Sequence, residues 1–195
     1  MTRIARIACL VALLPLLSSC SLASVIRTEA SCTADSASFA VLQAQAVPSA
    51  TLLPCIGTLS TGWTYAGSDV VNGESTFWLD SDRAGIHAVE VSLTPSCSTA
   101  GMNDVTQDTD ERLPNLEVFR RPISARPFEA DRVFVFAGGC VTYRYRFADV
   151  DGAGTLVYEA DQALTFFSRS KAVRVVEDTY GLTLCGAEAP PCVGE

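Results

Sequence analysis

The sequence predicts an α+β domain in which an antiparallel sheet packs with one or two C-terminal helices and disulfides stabilise the fold. Turn signals separate several candidate strands between residues 62 and 147, CVTYRYRF alternates cleanly between apolar and polar residues, and the period becomes helical after residue 155. Six cysteines remain once an N-terminal export signal is set aside. Residues 39–195 are expected to form a single extracytoplasmic domain with enough apolar side chains for a core.

The first residues have the parts of an export signal. Arg3 and Arg6 precede an apolar run of roughly ten residues, well below the ~20 needed to cross a bilayer as a helix. Cleavage after Ala23 would release a secreted protein. Residues 17–20, LSSC, instead resemble the bacterial lipobox, which predicts a lipoprotein signal peptide over residues 1–19 and a diacylglycerol thioether on Cys20. Residues 20–38 would then be the lipidated cysteine and a flexible tether, and several acyl chains would hold the protein stably to a membrane.

The remaining cysteines predict disulfides. An even number in an exported chain favours three bridges, although six cysteines allow fifteen connectivities. Pairing of neighbours along the chain is a plausible choice among them. A zinc site is disfavoured because no CxxC or HxxxH spacing occurs and His87 is the only histidine. The six are Cys32, Cys55, Cys97, Cys140, Cys185 and Cys192.

Charge limits the partners. Without the signal peptide the chain has 12 basic and 22 acidic residues, a formal charge of −10. Such a protein is a poor candidate for binding nucleic acid or anionic lipid heads by charge. Neither a cofactor nor a metal is predicted. Lys171 is the only lysine, and this bias to arginine indicates a GC-rich bacterial source.

The first half of the domain predicts strands. Pro48 and Pro54 interrupt the apolar stretch over residues 39–55, for which only extended chain is predicted. Three candidate strands follow as an antiparallel meander: GWTYAGSDV, ESTFWLD and IHAVEVSL. The first two are joined by Asn72-Gly73, a strong two-residue hairpin signal because both positions tolerate positive φ.

The second half predicts a hairpin after a long loop. The polar segment over residues 98–130 is expected to lie on the surface, with a short strand at LEVFRR. VFVFAG then pairs with CVTYRYRF, in which Val141, Tyr143, Tyr145 and Phe147 share the buried face. A bridge between Cys97 and Cys140 would fix the loop at its base.

The C-terminal part predicts helices. In TLVYEADQALTFF one helical face carries Leu156, Ala160, Ala163 and Leu164, and residues 165–167 can return to a strand. In SKAVRVVEDTYG, Ser170 is the expected N-cap and Gly181 the C-terminal stop, with Val173, Val176 and Tyr180 on one stripe.

Four segments carry a family resemblance: AVPSATLLPC, GESTFWLDSDRAG, AGGCVTYRYRF and GLTLCGAEAPPC. They resemble those of an actinobacterial family of exported proteins and lipoproteins of uncharacterised function, over nearly the whole mature chain. The resemblance implies a bacterial envelope location. It implies no activity, substrate or catalytic residue.

Catalytic and metal motifs are weak. His87 lies in a predicted strand, and no GxSxG elbow accompanies it. Two glycine turns, DSDRAG at 80–85 and DVDGAG at 149–154, bring aspartates together as a calcium site would. The second lacks the ligands of an EF-hand at Ala153 and Ala160, and aspartate and glycine also favour turns without metal.

Two groups of charged residues are candidates for ligand binding. Arg83 directly follows Asp82 and lies three residues after Asp80, and the two aspartates can fix it as an ion pair at a hairpin. Arg144 and Arg146, with Arg120, Arg121 and Arg126, are the main basic concentration, which could bind an anionic envelope ligand. The alternative is a solvated strand face whose arginines pair with acidic neighbours. The strand aromatics Trp63, Phe77, Trp78, Tyr143 and Tyr145 are expected in the core, and a glycan platform would need one of their faces exposed.

These features predict a membrane-anchored extracytoplasmic lipoprotein that acts as a non-catalytic binding module of the cell envelope. Its partners would be the membrane, through the lipid, and an envelope protein or anionic ligand. One alternative is a hydrolase whose paired carboxylates meet only in the fold. Another is a structural or regulatory partner of a membrane protein.

Overall fold

The structure is a computed structural model of the chain, and it confirms the predicted α+β class with three disulfides. The predicted signal peptide, Cys20 and the first part of the tether lie outside the residues that it describes. The residues described are 30–32, 37–106, 115–121, 124–125, 127–148, 151–187 and 190–192.

Three helices and ten strands occur within the described residues. The helices are α1 (Ala37–Ala46), α2 (Ala153–Ala163) and α3 (Arg169–Tyr180). The strands are β1 (Leu52–Ile56), β2 (Trp63–Val71), β3 (Glu74–Ser81), β4 (Gly85–Thr94), β5 (Asn103–Asp104), β6 (Glu117–Arg120), β7 (Ser124–Ala125), β8 (Phe128–Phe136), β9 (Gly139–Phe147) and β10 (Leu164–Ser168).

The large sheet joins the predicted meander to the predicted hairpin. Its strands run in the order β2-β3-β4-β9-β8-β6-β5, all antiparallel, and β7 also pairs with β8. Gly73 closes the first hairpin with a φ of 86°, as the Asn-Gly signal predicts. Because β9 returns between β4 and β8, residues distant in sequence become neighbours across the sheet.

The two faces of this sheet differ. Alternate residues of the central strands, among them Phe77, Leu79, Val89 and Val141, are fully buried on the inner face. Helix α1 packs here, with the ring of Phe39 meeting that of Phe77 edge to face at 6.0 Å. Strands β1 and β10 form a separate antiparallel pair beside α1 and α3. The residues between these apolar positions form an outer face, to which Trp78, Glu90 and Arg144 belong.

Helix α1 corrects the prediction of extended chain over residues 39–55. Its sequence, ASFAVLQAQA, is apolar on nearly all sides, so it lacks the period by which a surface helix is recognised. Alanine, leucine and glutamine favour helix intrinsically, and Pro48 follows just after its end. Only β1, at the end of that stretch, is extended as predicted.

The domain also begins earlier than residue 39. Ala30 is buried, and the Cys32 amide donates to the Ile56 carbonyl at 2.9 Å. The disulfide between Cys32 and Cys55 attaches this segment to β1. Part of the predicted tether is therefore bound to the fold.

The polar segment over residues 98–130 is less of a loop than predicted. It holds β5, the expected short strand β6, β7 and the beginning of β8. The Cys97–Cys140 disulfide connects the start of the segment to β9, as expected.

Helix α2 and strand β10 match the predicted helix and its return to a strand. Helix α3 begins at Arg169, one residue before the predicted N-cap, and Gly181 ends it with a φ of 63°. Its inward face is formed by Arg169, Ala172 and Val176, whereas Tyr180 is 60% exposed and does not extend the buried stripe. The buried face of α3 therefore includes a charged residue, Arg169, that the predicted stripe leaves out.

The three disulfides join neighbours along the chain and close loops of different length: 23 residues for Cys32–Cys55, 43 for Cys97–Cys140 and 7 for Cys185–Cys192. The chain-entropy model gives stabilisations of about 3.4, 4.0 and 2.4 kcal/mol in that order. Replacing each pair by alanines is therefore expected to lower the urea midpoint most for Cys97–Cys140 and least for Cys185–Cys192. Thiol titration of protein isolated without reductant should find none of the six cysteines free, and free thiols among them would contradict the framework.

Candidate functional site

The outer face of the large sheet carries a row of hydrogen-bonded and charged side chains that runs from β3 across β4, β9 and β8 to Arg121, the residue after β6. Glu90 on β4 accepts a hydrogen bond from Trp78 Nε1 at 3.2 Å and pairs with Arg144 Nη1 at 2.7 Å. Arg144 Nε lies 3.5 Å from Asp131, and Asp131 accepts from Arg121 Nε at 2.8 Å. The row is fixed by register, because Glu90 stands opposite Arg144 and Arg144 opposite Asp131.

The structure shows where two of the arginines predicted to bind an anionic ligand lie on the sheet. Arg144 lies on the outer face, where two carboxylates bind it, as the interpretation of a paired strand face expects. Arg146 is exposed and stands opposite Glu129 in the β8–β9 register. Arg126 falls outside the described residues. The arginines are therefore interleaved with acids rather than gathered into a basic patch.

Trp78 and His87 form an aromatic pair at one end of the row. Trp78 is half-buried rather than in the core, whereas the other strand aromatics named above are buried as predicted. The His87 ring is stacked on it with centroids 5.3 Å apart. His87 has a φ of 49°, unusual for a residue with a side chain, and its amide donates to Asp80 Oδ1 at 2.7 Å. Asp80 thus has a local role: it holds the backbone that presents His87 to the indole.

An open cavity of about 190 Å³ adjoins the indole of Trp78. Three carboxylates, one apolar side chain and one hydroxyl complete its lining. Thr76 donates to Glu74 at 3.2 Å and shares a second hydrogen bond with Ser92 at 3.0 Å. We call this cavity the outer-face pocket; its lining residues are Asp69, Val71, Glu74, Thr76, Trp78 and Glu90.

Arg83 keeps the predicted ion pair with Asp82 and has a second partner on another element. Asp82 lies 3.6 Å from its Nε, but both guanidinium Nη atoms bind the carboxylate of Glu159 on α2. Glu159 also accepts from Trp63 Nε1 at 2.9 Å. The hydrogen bonds from Arg83 and then Trp63 lower the pKa of Glu159 below its usual value. Arg83 thus fastens the β3–β4 turn to α2, a contact 76 residues away in sequence.

A second polar cluster lies between α2 and the inner face. Asp161 accepts from Arg132 Nη1 at 2.7 Å and, through its other oxygen, from the hydroxyl of Tyr145. Burial raises the pKa of Tyr145 far above its usual value, and the neighbouring charge of Asp161 adds to this. Burial also raises the pKa of Tyr143 above its usual value, and the charge of Asp161 is the second cause. These tyrosines are neutral at any physiological pH, so they act as hydrogen-bonding and packing groups.

Another cavity, of about 670 Å³, lies where α1, the β2–β3 turn and the C-terminal disulfide loop meet. Prolines and backbone form most of its wall, and no ionisable side chain is found in its lining. Of the two cavities described, only the outer-face pocket therefore combines charge with an aromatic surface.

Two observations on the described residues concern metals and membranes. No group of three histidine, cysteine, aspartate or glutamate side chains among them is placed to hold a metal ion. None of the helices described is both long and apolar enough to cross a membrane. In the turn over 149–154, only residues from Asp151 onward are described, and Gly152 there forms the N-cap of α2.

Comparison with known proteins gives no match: no protein-family model, no curated protein and no solved structure is significantly similar to the chain. The resemblance to actinobacterial exported proteins stays a prediction.

Proposed function

We propose that the chain is an exported bacterial lipoprotein, held to the membrane through Cys20, whose domain acts as a binding module of the cell envelope. The observation that carries this proposal is the difference between the two faces of the large sheet. The inner face is covered by α1, by α2 and by the β1–β10 pair. The outer face carries side chains held in fixed positions, with the half-buried Trp78 at one end.

The disulfides support export. Paired cysteines persist mainly in oxidising compartments outside the cytoplasm, and all three bridges join parts of the mature domain. The lipobox-like residues before Cys20 add the membrane anchor. An acylated N-terminus would place the domain on the extracytoplasmic side, where the outer face can meet soluble or envelope partners.

The carboxylates of the polar clusters favour binding over hydrolysis. Glu159, Asp161 and Glu90 each have an arginine as a direct partner. A general acid needs a pKa raised toward the working pH, whereas that of Glu159 is lowered. Their common role is to fix the sheet, the hairpin turn and α2 relative to one another.

The membrane part of the proposal is tested by replacing the lipidation residue. Cys20→Ala is expected to move the protein from the detergent phase to the aqueous phase in detergent partitioning, because the acyl chains that anchor it would be lost. Cys9→Ala is the matched control, since it removes a thiol from the same signal peptide and should leave the protein in the detergent phase. Equal partitioning of both variants with the unaltered protein would contradict lipid attachment at Cys20.

A further inference from the structure

We propose that the outer-face pocket receives the arginine or lysine side chain of an extended segment of a partner protein. This inference rests on the proposed binding function and names the chemistry of its partner. The occupant follows from three properties of the pocket: its charge, its aromatic wall and its position beside a sheet edge.

The first of these properties is the charge of the pocket. Among the described residues, the carboxylates of Asp69 and Glu74 take part in no salt bridge. Glu90 is already paired with Arg144, so the pocket's uncompensated charge comes from the other two. No basic side chain is found in the lining of the pocket. A positive group entering the pocket would gain attraction from both carboxylates.

The aromatic wall selects an organic cation. Trp78 is the most favourable ring for cation–π contact with an ammonium or guanidinium group. Its hydrogen bond to Glu90 and the stacked His87 ring hold the indole in place. Binding therefore costs little additional side-chain entropy at Trp78. Val71, which is 52% exposed, offers apolar surface for the methylene stem of a long basic side chain.

The sheet edge selects a protein segment over a free small cation. Strand β2 is the last strand of the large sheet on this side and pairs only with β3 in the described chain. Its exposed residues Asp69 and Val71 line the pocket. An extended segment can add its backbone to such an edge while one side chain enters a pocket, with main-chain bonds supplying affinity and the pocket specificity.

The two tryptophans provide the test. Their indole N–H groups give separate NMR signals, one from Trp78 in the pocket and one from Trp63, which is bound to Glu159 on α2. A short N-acetylated, C-amidated β-strand-forming peptide with one central arginine is titrated into the whole mature domain. The Trp78 signal is expected to shift in a saturable way, while the Trp63 signal stays in place. The same peptide with citrulline, which is neutral and nearly isosteric, should cause no saturable shift.

Charge variants separate the pocket from the overall charge of the domain. Asp69→Asn combined with Glu74→Gln should weaken peptide binding about tenfold, since two exposed carboxylate contacts are lost. Glu177→Gln combined with Asp178→Asn makes the same change of charge on the exposed side of α3 and should leave the affinity unchanged.

Four outcomes would overturn the proposal: no shift of Trp78 up to the solubility of the peptide, equal binding of the arginine and citrulline peptides, equal weakening by the two double variants, or arginine amide binding as tightly as the peptide. The last would assign the pocket to a small cation. Detergent partitioning of the Cys20→Ala variant does not depend on any of these four outcomes. The proposal for the pocket and the proposal of lipid anchoring can therefore be contradicted separately.

Discussion

Replacing Arg169 by methionine is expected to lower the free energy of unfolding by about 3 kcal/mol. The Arg169 side chain is fully buried, and its Nη1 donates to the carbonyls of Ala44, at 2.9 Å, and Val47, at 3.4 Å. Its Nη2 donates to the carbonyl of Cys185. Ala44 lies in the last turn of α1 and Val47 directly follows the helix, at the end where carbonyls lack intrahelical partners and a cation is favoured.

Methionine would keep the apolar stem but leave the carbonyls of Ala44 and Cys185 without the guanidinium donor, whereas that of Val47 still accepts from the Ala50 amide at 3.1 Å. Urea unfolding followed by circular dichroism measures the change. Arg174→Met is the matched control, because Arg174 is exposed on the same helix, and its effect should stay within about 0.5 kcal/mol. If both variants unfolded at the same urea concentration, Arg169 would not join α1 to the C-terminal disulfide loop as described.

Replacing Asp161 by alanine is expected to cost about 2–4 kcal/mol of stability. The substitution leaves the guanidinium of Arg132 and the hydroxyl of Tyr145 without their shared acceptor in a largely buried place. Tyr145→Phe removes only one of the two donors and should cost less. The exposed Asp178→Ala is the control for loss of a carboxylate.

A double-mutant cycle shows whether the Asp161–Tyr145 contact itself stabilises the domain. The double variant should lose less than the sum of the two single losses, with a coupling of roughly 0.5–3 kcal/mol, since the contact can be lost only once. Strict additivity would mean that the two residues do not act together.

The sequence predicts those parts of the fold in which local pattern and environment agree. Strand β9 alternates because one of its faces is covered and the other is open, so its period appears in the chain itself. Helix α1 does not follow this rule, because its own residues are apolar on nearly all sides and no continuous polar stripe marks its exposed side. Arg169 is also not predictable from the pattern. An arginine normally indicates the exposed face of a helix, whereas Arg169 is buried and binds backbone carbonyls.

The candidate site was predictable only in part. Arg144 stands out in CVTYRYRF because it alternates with tyrosines, and pairing with acidic neighbours was a natural expectation. Which acids bind it depends on the register of β4, β8 and β9, and Glu90 is 54 residues away. Trp78 resembled a core residue because aromatics in strands usually are. Asp69 and Glu74 carry no motif, and only the β2–β3 hairpin brings them to one pocket.

The measurement that tests the account most directly is the mass of the N-terminal peptide of the protein extracted from membranes. A lipid-held binding domain requires that this peptide begin at Cys20 and carry a diacylglycerol thioether. Lipid anchoring would be contradicted by an unmodified N-terminus at Ser24, which would make the domain a freely secreted protein.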